Sequence, residues 1–273
     1  MNWLFRLIII LISFSAFAAP SKDEWEFWAV SNEASDETIS HDLWDNLLNR
    51  YVLTDHQSEI NRFAYRQVSG EDQQSLKQYT NNLSQVDIRT HNKREQMSYW
   101  INLYNALTVQ VVLRYPEEGS ILEMGDALFS TGPWDDVVIT VNQQALTLND
   151  IEHRILRSIF DDHRVHFALN CASLGCPNLA TNAYRSKNLE AMLVKGEADY
   201  LNHSRGVSFE GKDLVLSSLF DWYQGDFAEN EDLLRRYLAS HLEGILRDKV
   251  LGYRGSIRYR YDWKLNEPAA QVR

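Results

Sequence analysis

Residues 164–184 have the sequence RVHFALNCASLGCPNLATNAY, and this stretch holds both cysteines of the chain, Cys171 and Cys176. The apolar run that leads to Asn170 predicts a buried β-strand. The small and turn-forming residues that follow predict a loop. A rigid element that ends in a polar, thiol-bearing loop is a common way to build a functional site. We therefore expect the functional site of this protein to lie at this loop.

The N-terminus has the pattern of a secretory signal peptide. Residues 1–18 carry one positive charge at Arg6, continue as an apolar run from Leu7, and end in the small-x-small pattern Ala16-Phe17-Ala18. The run is too short to span a bilayer comfortably, and no later stretch approaches the roughly 20 apolar residues of a transmembrane helix. We expect cleavage near Ala18, export to the periplasm or the extracellular space, and no membrane span in the processed chain.

The charge of the chain argues against some partners. Asp and Glu number 38 and Lys and Arg 27, which gives a net charge of −11. A negative chain is repelled by nucleic acid and by anionic membrane surfaces, and no cluster of Lys and Arg forms a basic patch. The expected partner is a small molecule, a peptide or a component of the cell envelope, and no cofactor is predicted.

Hydrophobic periodicity predicts an α+β protein, with a helix-rich N-terminal half packed on a small mixed or antiparallel sheet. The predicted helices cover 35–53, a segment around Ile60, Phe63 and Tyr65, 71–85, 93–115, 151–160, 187–201, 217–223 and 231–249. The predicted strands lie within 136–141, 145–148, 164–170, 207–209, 214–216 and 256–265. Two hairpins are expected among them, one that turns at Asn142 and Gln143 and one around Gly211. We expect an extended lead-in at 19–35, a single domain at 36–266 and a flexible tail at 267–273.

The helix predicted at 93–115 is apolar on more than one face, which is typical of a central helix. It carries Asn102 and Asn105, three positions apart, among these apolar residues. Buried amides need hydrogen-bond partners. These two side chains therefore either tie down neighbouring loops or orient a catalytic group.

Four motifs occur in order, and together they resemble the family filed as domain of unknown function 547. The resemblance covers residues 99–227 and implies a single domain with its site at the same loop, but no substrate. The motifs are YWINLYNALTVQ (99–110), LTLNDIEHRILR (146–157), HFALNCASLGCPNL (166–179) and LSSLFDWYQGDF (216–227).

The two cysteines allow a structural interpretation. An even number of cysteines in an exported chain favours a disulfide, because the periplasm is oxidising. A Cys171–Cys176 bridge would close a very short loop and stabilise the protein by only about 2 kcal/mol in the chain-entropy model. The cysteines would then staple the loop between them.

The alternative interpretation makes Cys171 a nucleophile, which needs a base, a group that orients the base, and donors for an oxyanion. On a strand, alternation would place His166 and Cys171 on opposite faces. His153, on the preceding helix, escapes that constraint and is the better candidate base. The candidate catalytic residues are Cys171, His153, His166, Asn170 and Ser173, and the candidate binding residues are Asn102, Asn105, Cys176, Tyr184 and Trp222.

The sequence gives less support to two further kinds of site, a zinc site and a carbohydrate site. His153, His166, Cys171 and Cys176 are suitable zinc donors, but their spacing matches no standard zinc ribbon or finger, so no metal is predicted. Asp221 and Asp226 flank Trp222, Tyr223 and Gly225. Paired carboxylates near aromatic residues occur in carbohydrate sites, although such acids more often anchor loops. The leading hypothesis is a thiol- or histidine-dependent hydrolase or transferase acting on an envelope substrate. The rival is a non-catalytic binding module with a disulfide-stapled loop.

Overall fold

The computed structural model describes residues 22–125 and 132–268. The predicted signal peptide at 1–18 and all but the first two residues of the predicted tail lie outside the described residues. The fold is α+β, with helices in both halves and three small sheets, which confirms the predicted fold class. No helix within the described ranges is long and apolar enough to cross a membrane.

Ten α-helices follow one another along the described chain, together with a π-helix at Asp150–Leu156 that runs directly into α4. The α-helices are α1 (Asp42–Tyr51), α2 (Gly70–Ser84), α3 (Lys93–Arg114), α4 (Arg157–Ile159), α5 (Val165–Ala168), α6 (Leu189–Leu201), α7 (Leu219–Trp222), α8 (Gln224–Phe227), α9 (Glu231–His241) and α10 (Gly244–Gly252).

The strands form two hairpins and one mixed three-stranded sheet. Strand β1 (Val52–Leu53) pairs antiparallel with β2 (Arg62–Phe63), and β3 (Ile139–Val141) with β4 (Gln144–Leu146). In the third sheet, β6 (Asp213–Ser217) pairs antiparallel with β5 (Val207–Glu210) and parallel with β7 (Arg258–Arg260). Both hairpins predicted in the second half are confirmed. The predicted final strand is reduced to β7 and two isolated bridges, one of which joins Ser173 to Leu265.

Helix α3 is the centre of the fold, as its sequence predicts. Asn92 caps its N-terminus by accepting a hydrogen bond from the backbone N–H of Glu95, at 3.0 Å. Pro116 follows its last residue closely and cannot continue the helix. Side chains on every face of α3, such as Leu103, Ala106 and Val111, are buried. The site segments pack around this buried scaffold.

The strand predicted at 164–170 is wrong. Residues Val165–Ala168 form a single helical turn, α5, and only Leu169 after it is extended. The main core takes up Val165 and Ala168, while Phe167 packs in a second hydrophobic cluster beneath β5, β6 and α9. A helical turn can send neighbouring apolar side chains in these different directions, and so short an apolar run does not distinguish a strand from a helix.

Two predicted helices are also wrong. The helix predicted at 231–249 is broken: α9 ends at His241, Leu242 turns into the core with extended backbone, and Gly244 has a φ of 55°. The predicted helical segment around Phe63 is strand β2 followed by a short 3₁₀ turn. In both segments, burial of a few apolar side chains against distant elements prevails over local periodicity.

The predicted lead-in is extended only in part. It contains a 3₁₀ turn at Glu26–Trp28, and the Trp28 ring is buried against Trp100 of α3, with ring centroids 5.0 Å apart. The backbone N–H of Trp25 donates to the carbonyl of Arg154 in the π-helix. The lead-in therefore packs against the helical segment that carries part of the candidate site.

Candidate functional site

The Cys171 thiol lies at the start of the loop that follows α5. This side chain is partly exposed, and its Sγ atom lies 3.2 Å from the Ser173 hydroxyl and 3.0 Å from the Tyr261 hydroxyl. Ser173 also donates to the Tyr261 hydroxyl, at 3.2 Å. Ala172 has a φ of 61°, a left-handed conformation that is uncommon for a residue with a side chain. Two hydroxyl groups therefore surround the one accessible sulfur atom of this loop.

The predicted disulfide is not formed in the structure, where Cys171 and Cys176 are both free thiols. Cys176 is buried, and its Sγ accepts a hydrogen bond of 2.7 Å from the backbone N–H of Cys171. Burial raises the pKa of both thiols, but hydrogen bonds from Cys176, Ser173 and Tyr261 outweigh it at Cys171 and leave the pKa of that thiol below its ordinary value. Of the two, Cys171 is the thiol suited to nucleophilic chemistry.

The asparagine side chains hold the backbone of the site. Asn105 donates to the carbonyl of Ala168 at 3.0 Å and accepts from the N–H of Asn170 at 2.8 Å. Asn170 in turn donates to the carbonyl of Pro177 at 2.7 Å and accepts from the N–H of Ala172. These bonds fix both ends of the thiol loop. Asn105 and Asn170 thus act as loop anchors, the first of the two roles open to Asn105.

Asn102, the other asparagine of α3, anchors a neighbouring segment in the same way. Asn102 donates to the carbonyl of Tyr184 at 2.7 Å and accepts from its N–H at 3.0 Å. The Tyr184 ring is buried in the main core. These two candidate binding residues therefore stabilise the chain beyond the thiol loop.

The His166 imidazole belongs to a buried network centred on Asp226 of α8. Its Nε2 lies 2.7 Å from Oδ2 of Asp226, and Nε of Arg157 donates to the same oxygen at 2.7 Å. The ammonium group of Lys22 lies 3.2 Å from the other carboxylate oxygen. Burial opposes the charge of Asp226, but the bonds from His166 and Arg157 prevail and hold its pKa far below the usual range.

This network determines the tautomer of His166. An ionised carboxylate only accepts hydrogen bonds, so Nε2 of His166 carries the proton and Nδ1 is left with its lone pair. Burial lowers the pKa of His166, and the bond to Asp226 offsets this in part. The ring stacks on Tyr223 with centroids 4.2 Å apart. His166 is thus held as a neutral imidazole whose Nδ1 can accept a proton.

Glu152 lies beside the histidine network, and its charge also acts on the thiol. Its Oε1 is 3.9 Å from Nδ1 of His166, and its Oε2 accepts from the Tyr104 hydroxyl at 2.9 Å. The negative charge of Glu152 raises the pKa of Cys171, an effect smaller than those of burial and of the hydrogen bonds. Glu152 belongs to the π-helix, and π-turns occur frequently at functional sites.

The structure does not support His153 as the base. Its Nδ1 lies 3.0 Å from Nη1 of Arg157, so the imidazole accepts a hydrogen bond from the guanidinium. Burial lowers the pKa of His153 to about 4. The parity argument that favoured His153 over His166 depended on a strand that does not exist. Of the two histidines, His166 has the free ring nitrogen that faces Glu152.

Three aromatic rings pack together beside the thiol. The Trp222 ring lies 4.8 Å from the Tyr261 ring and 5.5 Å from the Trp263 ring, and Tyr261 and Trp263 are 4.6 Å apart, all measured between centroids. Each of these residues is partly exposed. Trp222, a candidate binding residue, therefore shares a surface with Tyr261, whose hydroxyl contacts the sulfur.

The sequence did not reveal several residues that complete the site. Tyr261 is 90 positions from Cys171, and Asp226 is 60 positions from His166. The only signal for Asp226 was its place near Trp222, and nothing joined it to a histidine. The residues added by the structure are Tyr104, Glu152, Arg157, Tyr223, Asp226 and Tyr261.

The four donors considered for zinc lie in separate hydrogen-bonded groups, the cysteines in the loop and the histidines around Arg157 and Asp226. Within the described ranges, no three His, Cys, Asp or Glu side chains are placed to hold a metal ion. Two surface clefts of about 260 and 310 Å³ lie between α2, α3 and β3, and Leu107 and Val138 line both of them. Neither cleft is lined by a residue that contacts Cys171.

Fold and site together define a mixed α+β protein with a free, partly exposed thiol beside a buried carboxylate–histidine network. Residues 88–201 match the family described as "Protein of unknown function, DUF547", which confirms the resemblance inferred from the four motifs. The match includes Glu152, His166 and Cys171, whereas Asp226 and Tyr261 lie beyond it. No curated protein and no solved structure matches the chain.

Proposed function

We propose that the protein is a thiol-dependent hydrolase or transferase that uses Cys171 as its nucleophile and acts on an ester, thioester or amide. The observation that carries this proposal is the environment of the sulfur atom. Cys171 Sγ contacts the hydroxyls of Ser173 and Tyr261, and its environment lowers the pKa of the thiol. A lowered thiol pKa in a partly exposed position is typical of reactive cysteines.

The proposed reaction begins when the Cys171 thiol loses its proton to the pair formed by Glu152 and His166. The thiolate attacks the substrate carbonyl carbon and forms a C–S bond, and the leaving group departs with the proton held by the pair. Water, or a second nucleophile, then attacks the thioester and releases the acyl group, while the sulfur recovers a proton. Water as acceptor gives hydrolysis, and another nucleophile gives transfer.

The remaining groups of the site position this pair. Asp226 holds Nε2 of His166, which keeps Nδ1 free to accept a proton. Arg157 bonds to both Asp226 and His153 and so joins α8 to the π-helix that carries Glu152. Preorganisation of this kind holds catalytic groups in the productive geometry before substrate arrives.

The proposal is tested by trapping the acyl-enzyme. Native protein is mixed with p-nitrophenyl acetate, and rapid release of p-nitrophenol is compared with the mass of the intact chain and of the peptide that contains Cys171. We expect an acetyl group on Cys171. Cys171→Ser and Glu152→Gln should slow its formation by about 100-fold or more, the usual scale for a catalytic base. Glu229→Gln, on an exposed residue, is the matched control and should leave the rate unchanged.

The rival function is a binding module in which a Cys171–Cys176 disulfide staples the loop. The bond from the Cys171 N–H to Cys176 Sγ favours it, because it brings the two cysteines together. Titration of thiols in native and denatured protein separates the two functions. Two thiols per denatured chain support the enzyme, whereas none in either state would eliminate the nucleophile and leave the binding module.

We also propose export, from the signal-peptide pattern at residues 1–18. An exported thiol enzyme would meet envelope substrates such as acylated or peptide components. N-terminal sequencing of the protein recovered from the periplasmic fraction tests this proposal. We expect the chain to begin at Ala19, and an intact Met1 in the cytoplasmic fraction would contradict export.

A further inference from the structure

Arg62 and Arg205 lie beside the thiol loop without an acidic partner. Arg62 is 8% exposed, and no carboxylate oxygen of the described residues lies within 4.0 Å of either guanidinium. Other buried arginines differ: Arg157 pairs with Asp226, and Arg235 with Asp232. Burial of a charge is costly unless the charge is paired. Two unpaired guanidiniums in one place therefore require an explanation.

Each guanidinium also has a buried nitrogen without an acceptor among the described residues. These nitrogens are Nη1 of Arg62 and Nε of Arg205. The Nη2 of Arg62 donates to the Ser58 hydroxyl at 3.2 Å. Arg205 donates from Nη1 to the carbonyl of Leu174 at 3.3 Å and from Nη2 to Oδ1 of Asn178 at 2.7 Å. The protein thus orients both groups through neutral acceptors and leaves one buried donor of each guanidinium unsatisfied.

A short bridge joins the surroundings of the two arginines. His203 accepts from the backbone N–H of Arg205 through Nδ1, at 3.1 Å, so its Nε2 carries the proton that it donates to the carbonyl of Ser58 at 2.8 Å. This imidazole is neutral and does not compensate either positive charge. Burial lowers the pKa of both guanidiniums. The charge of Asp262 offsets this in part at Arg62, whereas the charge of Arg62 further lowers the pKa of Arg205. A bound anion would relieve this strain.

The pair lies against the loop that presents the nucleophile. Leu174, which accepts from Arg205, stands between Cys171 and Cys176 in the chain. The Arg205 guanidinium also lies over the Tyr200 ring, 5.2 Å from its centroid, and the Tyr200 hydroxyl donates to the carbonyl of Gly175 at 2.7 Å. An anion held by Arg205 would therefore be adjacent to the thiol loop.

We propose that Arg62 and Arg205 form an oxyanion-binding site, which accepts a carboxylate or phosphate group of the substrate. Guanidinium groups suit these anions because their planar N–H pairs match the oxygen spacing of both. Anion binding follows from the arginine geometry alone. The assignment of the bound anion to the substrate rests on the proposed thiol chemistry. It implies that the acyl group or the leaving group of the substrate carries a negative charge.

Binding is tested by isothermal titration of the intact protein with inorganic phosphate and, separately, with succinate at constant ionic strength. We expect saturable binding of at least one of them, and the stronger one identifies the anion class. Arg205→Gln and Arg62→Gln should weaken it about tenfold or more, as expected for loss of a charge-assisted bond of about 1.4 kcal/mol. Arg254→Gln, on an exposed arginine that donates only to backbone carbonyls, is the control.

Arg205→Lys provides a second variant, because it keeps the charge and removes the planar fork; partial loss of binding is expected. Thermal unfolding of every variant identifies any that does not fold. If folded wild-type protein binds neither anion, or if both glutamine variants bind as well as wild type, the site is refuted.

The link to the thiol is tested by alkylation of Cys171 with iodoacetate and with iodoacetamide, which differ in charge. Arg205→Gln should lower the rate ratio of iodoacetate to iodoacetamide about threefold or more, since it removes attraction of the anion. An unchanged ratio would overturn the assignment to the substrate. Phosphate or succinate binding that persists in a protein without acyl-enzyme formation would leave the anion site intact and refute the thiol enzyme alone.

Discussion

Nε2 of His166 lies 2.7 Å from Oδ2 of Asp226, although the two residues are 60 positions apart in the chain. The bond joins α5, which leads into the thiol loop, to α8. It fixes the imidazole tautomer, and together with the bond from Arg157 it keeps the carboxylate ionised. Stability and site geometry are therefore coupled at Asp226.

Asp226→Asn should lower the free energy of unfolding by about 3 kcal/mol, because it removes the carboxylate that pairs with the buried Arg157 guanidinium. Urea denaturation at pH 7 measures the change. Asp161→Asn is the matched control, since Asp161 contacts the same Lys22 but has a side chain that is 82% exposed. A loss in the control as large as that in Asp226→Asn would show that the effect comes from Lys22 and not from Arg157.

The same residue predicts a pH dependence. The pKa of Asp226 is lower in the folded than in the unfolded state, so its stabilisation is complete above the ordinary value of 3.8 and is lost as pH falls toward the folded pKa. Below pH 4, wild-type stability should fall more steeply than that of Asp226→Asn. Urea denaturation at half-unit steps from pH 5 to pH 2.5 compares the slopes. Equal slopes would contradict the lowered pKa.

The two helix asparagines give a pair of variants with different effects. Asn102→Ala and Asn105→Ala should each cost about 3 kcal/mol, because each leaves one buried N–H and one buried carbonyl without a partner. Of the two, Asn105→Ala should also change the iodoacetamide reaction rate of Cys171, since Asn105 holds the backbone of Asn170 beside it. An equal change of rate in Asn102→Ala would show that the effect is general loosening.

The Tyr261 hydroxyl should control the reactivity of the thiol. Tyr261→Phe removes a hydrogen bond that favours the thiolate, so the iodoacetamide rate at pH 7 should fall about tenfold, the effect of one hydrogen bond to a charged group. Gly175→Ala should act in the same direction, because a Cβ there would lie 2.9 Å from the Tyr261 ring. Gly119→Ala meets open space and is the control. An unchanged rate in Tyr261→Phe would remove Tyr261 from the site.

Sequence patterns predicted those elements whose signal is local. Helix α3 ends within one residue of its prediction, because its apolar faces and the Pro116 that follows it are local signals. The hairpin of β3 and β4 turns at Asn142 and Gln143, both with positive φ, as the sequence suggested. These features depend on neighbouring residues, which a single sequence contains.

The site escaped sequence reasoning where it depends on distant contacts. Cys171 and His166 were found because they lie in one unusual stretch, but the roles of Asp226 and Tyr261 arise only when α8 and the segment after β7 pack against that stretch. The wrongly predicted strand also led to the preference for His153 over His166 as the candidate base. Tertiary packing decides the conformation of so short a segment, and the choice of base depended on it.

His41 predicts a second pH dependence, away from the thiol. Its side chain is buried, its Nδ1 lies 2.6 Å from the Tyr79 hydroxyl, and burial lowers its pKa to about 4 from the ordinary 6.5. As pH falls below 6.5, the unfolded chain takes up a proton that the folded protein excludes, so stability is complete above 6.5 and falls toward pH 4. Between pH 7 and 5 the contribution is about 2 kcal/mol. His41→Gln should therefore show a shallower decline in urea denaturation over this range, even though its stability at pH 7 is lower. The C2 proton of His41 in the NMR spectrum provides the direct check, and a midpoint near 6.5 would contradict the prediction.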